Sequence, residues 1–389
     1  MKRNVLLGSC LAVVLGTAAC QDQPTGPTNL AATRPAAPSM SSTALGRPDR
    51  GQLKLPAGAK AIGHRYCTEL MPGAINPSDY ECPASTAISD WWLNAALASY
   101  AAEPEIFELL YFDTFADALP TYDALIFRNE SPSEYFGYNG EYTQVMLKTE
   151  KDARRFWDIR SDDIQLLGMH GTMLLDVERT AQVYAWYWEV SADSAAKAAA
   201  AIVDAMERST TLNGGNHPLF SFNAFAFSTF GGPIPDKIVM GDGILAGYAA
   251  LGFGDVAPQG VYMHEFAHHI QYENGYFEDE YATTGSAAEQ TRYTELMADA
   301  MSAYFLTHKR GLALNEKRVA QFLEVFYQIG DCGFTSSGHH GTPNQRMAAA
   351  QFGFDLAKEA LKQGQILTSE QVYQRFLAAY PSIIAPDAN

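Results

Sequence analysis

The chain has 389 residues, with 27 Lys and Arg against 44 Asp and Glu, and 47% of its residues are apolar. That length suits one large domain or two modest ones, and the apolar fraction is too high for a disordered chain. A formal net charge of −17 excludes an extended nucleic-acid surface, which needs clustered Lys and Arg, and five cysteines in so long a chain exclude a disulfide scaffold.

Met1-Lys2-Arg3-Asn4 is a cationic start, Val5 to Gly16 is a small apolar run, and Thr17-Ala18-Ala19-Cys20 follows. This is the layout of a secretory signal, so residues 1–19 are read as a signal peptide. The cysteine at the cleavage point resembles a bacterial lipobox, departing from it at Thr17, where Leu, Val or Ile is usual. The resemblance implies lipid on Cys20 and an exported bacterial protein anchored to the cell envelope, periplasmic or on the outer surface. The alternative is a soluble secreted protein. The apolar run is shorter than the roughly 20 residues a spanning helix needs, so membrane contact is expected through the lipid anchor only.

Residues 20–58 are mostly Pro, Thr, Ala, Ser and Gly, the composition of a disordered tether. Beyond it Cys67, Cys82 and Cys332 remain. In an oxidising compartment a Cys67–Cys82 disulfide closing a short loop is expected, with Cys332 free.

From 59 to 215 the pattern predicts a mainly helical N-terminal region of unassigned role. Ser89 to Tyr100 and Glu105 to Leu119 carry apolar residues at helical spacing, and Asp152 to Ile159 and Met173 to Trp188 read as helices. Ser191 opens an alanine-rich helix over 195–206. Asn213-Gly214-Gly215-Asn216 reads as a loop, and His170 and His217 as loop histidines.

The chemistry is concentrated in Val261-Tyr262-Met263-His264-Glu265-Phe266-Ala267-His268-His269-Ile270. His264 and His268, four apart on a helix, can present imidazoles to one ion, while Glu265 sits in the general-base position of a zinc hydrolase. His269 and Gln271 lie off that face and read as structural. A catalytic zinc needs a third protein ligand. Gln271 and Asn274 stand where a metzincin would continue with Gly and His. Downstream, Glu295 and Asp299 share one face of a helix over 287–306. Glu295 is the candidate third ligand, with Asp299 orienting a ligand imidazole. Glu289, Glu280 and His308 are the alternatives.

HEFAHHIQ followed by ELMADAMSAYF resembles the gluzincins, zinc metallopeptidases with two His on one helix and a Glu on the next. The E-x-x-A-D form is similar to bacterial neutral zinc metallopeptidases and to the prenyl-protease-like group. Asn223 to Phe227, Gly231-Gly232 and Lys237 to Gly241 look like that family's edge-strand region, where a peptide would add as a strand. His340-Gly341-Thr342-Pro343-Asn344-Gln345-Arg346 resembles the segment after the glutamate helix, which implies electrophilic support from His340 and Arg346. A capped start of a helix over 344–362 is the alternative there.

The expectation is therefore a mostly helical α+β chain. Residues 216–389 would form a zincin-like domain with a short sheet and an active-site HExxH helix. The resemblance implies one catalytic Zn2+ on His264, His268 and Glu295, and hydrolysis of a peptide or protein substrate. Two other readings stand beside it: a non-enzymatic zinc-binding surface lipoprotein, and a zinc hydrolase of non-peptide amides or cell-wall crosslinks.

Overall fold

A computed structural model describes residues 60–61, 80–83, 85–129, 134–228, 234–334, 336–363 and 365–387. The stretches expected as signal peptide and tether, with Cys20, and also Cys67 and Gly231-Gly232, lie outside the described residues. The protein is mostly helical with one small sheet, an α+β arrangement. Among the described residues no helix is long and apolar enough to cross a membrane.

The sheet has four strands: β1 (Lys60–Ala61), β2 (Ile164–Met169), β3 (Ala224–Ser228) and β4 (Asp236–Gly241), ordered β1-β3-β4-β2. β3 runs antiparallel to β1 and β4, whereas β2 lies parallel to β4 over its whole length, from Ile164 beside Asp236 to Met169 beside Gly241. Strands buried on both faces lose the simple apolar-polar alternation, and β2 and β4 show this. Ile164, Leu166, Ile238 and Met240 enter one core, while Leu167, Met169 and Val239 enter the other.

The second core is made by the N-terminal helices. α1 (Ala87–Ala102) supplies Trp92 and Ala96, α3 (Val177–Trp188) supplies Val183 and Tyr187, and α4 (Ala192–Arg208) supplies Ile202 and Met206. Asp176 and Ser191 cap α3 and α4 by accepting backbone N–H groups. The helix expected over 105–119 breaks into a short turn, a π-helical segment (Glu108–Asp113) and a 3-10 turn. Left-handed Phe115 (φ 53°) prevents its continuation. α2 (Thr143–Phe156) starts well before the expected Asp152 and packs across the sheet with the other core.

That first core holds α5 (Asp242–Ala250), α6 (Ala257–Glu273), α7 (Ala287–Thr307), α8 (Glu316–Gln328), α9 (Pro343–Gln363) and α10 (Ser369–Ile383). The boundary read at 215 does not divide this fold. β2 and α2 come from the region before it, yet one completes the sheet and the other packs in the core of α6. Likewise β3, expected at an edge, is an inner strand at its Phe227–Ser228 end, where β1 pairs with it.

The cysteine expectation is corrected. Cys82 is bonded to Cys332, 250 residues away, with Cα atoms 5.9 Å apart. The segment around Cys82 is drawn to the far end of the chain. Tyr80 donates its hydroxyl to the Ile384 carbonyl (3.0 Å), and the Glu81 N–H donates to Asp387 (2.5 Å). Spacing along the chain carries no record of such long-range contacts.

Candidate metal centre

α6 and α7 are the most enclosed helices of the molecule. Pro258 opens α6, and a capping box opens α7: Ser286 Oγ accepts the Glu289 N–H while Glu289 accepts the Ser286 N–H. Glu289 is thereby engaged as a cap, away from ligand duty. In α6 nearly every residue from Ala257 to Gln271 is buried, and α7 is buried from Thr291 to Thr307. Helices enclosed on all sides belong to a core, so polar side chains on them need partners.

Those partners are present. His264 Nε2 lies 3.0 Å from Glu295 Oε2, and His268 Nε2 lies 3.2 Å from His264 Nε2 and 3.4 Å from Glu295 Oε1. Three buried donor atoms thus lie within 4.8 Å of one another. Two imidazole nitrogens and one carboxylate, converging on one point, suit a divalent cation that accepts N and O ligands.

The outer imidazole nitrogens are also fixed. His264 Nδ1 faces Asp299 Oδ1 at 2.9 Å, as expected of Asp299. His268 Nδ1 faces Gln271 Oε1 at 2.9 Å, and the Gln271 amide donates to the Thr294 carbonyl at 2.6 Å. Since carbonyl and carboxylate oxygens only accept, both Nδ1 atoms donate, and both Nε2 atoms turn to the cluster. Gln271 therefore orients His268, a role its sequence reading missed. The signal was available, because residues three apart on a helix are neighbours. His269 is structural as expected, its Nε2 on the Lys237 carbonyl at 3.0 Å.

Arg346 is fully enclosed and stands behind the ligands. Its Nε donates to Asp299 Oδ2 (2.8 Å) and its Nη2 to Asp299 Oδ1 (2.7 Å), with Nη2 3.9 Å from Glu295 Oε2. The fork grips a carboxylate that orients a ligand, so the expected electrophilic place for Arg346 is corrected to a supporting one. His340 is partly exposed, with Nδ1 on Asp331 Oδ2 at 2.9 Å. Burial works against its charged form, but the bond to Asp331 and the Glu295 charge raise its pKa. Asp331, unforeseen in the sequence, also accepts the His340 N–H (2.8 Å) and faces His339 Nδ1 (2.7 Å). Thr342 and Gln345 cap α9 reciprocally, so the capped start and the site segment coexist.

Glu265 is buried, and its carboxylate has no hydrogen-bond partner among the described residues. Burial raises its pKa, with His264 and His268 pulling the other way. Glu295 is also buried, but His268 and His264 outweigh burial and hold it well below the usual carboxylate range. Two carboxylates in one site thus have their proton affinities pushed apart, the arrangement that separates a proton carrier from a fixed anion.

The remaining histidines lie elsewhere. His170 Nδ1 sits on Asp242 (2.7 Å) with its ring stacked on Tyr135 at 3.9 Å. His217 bonds Ser99 and the Leu219 N–H. His308 Nε2 faces the Gln365 carbonyl, and Glu280 opens a short helical turn. The chain matches no protein-family model, no curated protein and no solved structure.

Proposed function

We propose that the chain is a zinc-dependent peptidase of gluzincin type with a zincin-like catalytic region. The observation that carries this reading is the convergence of His264, His268 and Glu295 with an unpaired, buried Glu265 one residue past the first imidazole. When bound there, zinc supplies Lewis-acid polarisation of the scissile carbonyl and makes a water molecule more acidic.

The chain's own residues carry the proton and the charge. Glu265 accepts a proton from the attacking water and returns it to the leaving nitrogen. Burial raises its pKa above the ordinary carboxylate value, a direction that suits a group that must give back the proton it takes. His340, whose bond to Asp331 outweighs burial and raises its pKa, donates as the imidazolium through Nε2–H to the carbonyl oxygen as that oxygen gains charge. Asp299 and Gln271 keep both ligand imidazoles in one tautomer, and Arg346 keeps Asp299 oriented. The substrate class is a peptide or protein. The acidic chain is a poor match for nucleic acid. The proposed place of action is the bacterial cell envelope, through lipid on Cys20, on the strength of residues 1–58 of the sequence.

The test is Glu265→Gln in protein beginning at Cys20. Zinc is expected to stay near one per chain while hydrolysis of an internally quenched peptide library falls about 10²- to 10⁴-fold. Unchanged hydrolysis would remove Glu265 from the mechanism.

A further inference from the structure

The Cys82–Cys332 bond ends one residue from the carboxylate that holds His340. Asp331 draws residues 331–334 and 336–341 into one body. Its N–H donates to the Gly341 carbonyl (2.9 Å), and its Oδ1 accepts the Gly333 N–H (2.7 Å). Its two oxygens also hold His339 Nδ1, the His340 N–H and His340 Nδ1. Gly341 (φ +101°) seats this body on α7, where a Cβ would lie 3.0 Å from Leu296, the residue beside Glu295.

The other end of the bond is tied to the C-terminal segment. Tyr80 and Glu81 are tied to Ile384 and Asp387. Asp387 in turn accepts from Asn344 of α9 at 3.1 Å. The Tyr80 ring lies 5.4 Å from Phe334. The disulfide cross-links the Cys82 segment to the body that carries His340, a body the main chain through Thr342 and Pro343 also joins to α9. By contrast, the side chains orienting the metal ligands, Asp299, Gln271 and Arg346, all lie outside residues 331–341.

We propose that the Cys82–Cys332 disulfide is a positioning device for His340, so that opening the bond frees the Asp331–His340 pair from its seat on α7 and slows hydrolysis while the metal stays bound. This rests on the peptidase reading for its catalytic consequence. The chemistry is thiol–disulfide exchange with a dithiol. One thiolate attacks a sulfur of the bond, a mixed disulfide forms, and the second thiolate displaces it. Two protein thiols and one oxidised dithiol result, with two electrons and two protons passing to the protein.

The experiment uses zinc-loaded full-length mature chain, oxidised, reduced with dithiothreitol and then reoxidised, beside Cys332→Ser and Cys82→Ser. Each is repeated in a His340→Gln background, below the melting temperature of every form. Opening the bond is expected to lower kcat about 10-fold with KM nearly unchanged and zinc still near one per chain, and reoxidation restores activity. In His340→Gln the same opening changes kcat less than about 2-fold. Equal losses in both backgrounds, or no loss on reduction, overturn the proposal.

A second readout is independent of catalysis. The downfield imidazole proton of His340 Nδ1, observed by ¹⁵N-histidine NMR, is expected in the oxidised chain and lost on reduction. Its persistence after reduction overturns the positioning claim even if the chain hydrolyses nothing. Absence of hydrolysis in every form, with the proton behaving as expected, instead overturns the peptidase reading.

Discussion

Asp299 shows how much a single side chain carries in this site. It is fully buried, accepts from His264 Nδ1 and takes both arms of Arg346. Replacing it with Asn keeps the shape and removes the charge. Arg346 then loses its nearer counter-ion and keeps only Glu295 at 3.9 Å, a change that costs up to about 3–5 kcal/mol. Zinc affinity is also expected to fall about 10- to 100-fold through the loosened His264. Urea denaturation and chelator competition measure the two effects separately, and a loss in one alone would show that the roles are divided. The same residues set the pH response. Burial works against a charged His264, but hydrogen bonds to Asp299 and Glu295 outweigh it and raise its pKa from 6.5 to about 10 in the metal-free chain. A raised folded pKa means that this imidazolium stabilises the metal-free fold fully below about 6.5 and ceases to do so as pH rises through about 10. In the proposed zinc site the metal would have to displace that proton. Its affinity is therefore expected to climb about tenfold per pH unit across this window, read by chelator competition at pH 6.5, 7.5 and 8.5. A flat profile would mean that His264 is already neutral.

At the scale of elements, the site depends on three helices holding a fixed separation. α6 brings the imidazoles, α7 the carboxylates and α9 the guanidinium. Gly353 sets the approach of α9 to α7: a Cβ there would lie 2.1 Å from the Ala300 carbonyl oxygen and 2.8 Å from Ala303. Gly353→Ala gains about 1 kcal/mol of helix propensity, but pushing the helices apart costs about 1–3 kcal/mol or more. Net destabilisation is expected in urea melts, and a stabilised variant would show that α9 can shift freely. These elements were unequally visible in sequence. α7 announced itself through Ser286, Glu289 and its helix-forming composition, and α9 through Thr342-Pro343. α2 was cut short at Asp152 because its first turns lack a cap signal. The stretch after Glu105 was overread, because apolar spacing continues through a segment that left-handed Phe115 breaks.

For the molecule as a whole, the sheet joins what the composition appeared to separate. β2 pairs along all of β4, and both faces of the sheet are packed, so neither half can bury its own core alone. A fragment covering 216–389 is expected to lack cooperative unfolding and to be digested quickly by added protease. A cooperatively melting fragment would restore the boundary at 215. The ligand set needed only local information, since helical spacing puts His264 with His268 and Glu295 with Asp299, and a metal site requires those chemistries together. Sequence alone therefore determined the helical character, the three candidate ligands, the place of Glu265 beside the first of them and the contact of Asp299 with His264. Tertiary structure decided the rest: that Arg346 backs Asp299, that Gln271 aims His268, that Asp331 holds His340, and that Cys82 pairs with Cys332. Each of these joins groups through packing of distant or unmarked segments, or depends on which way a side chain turns, and no periodicity along the chain encodes that.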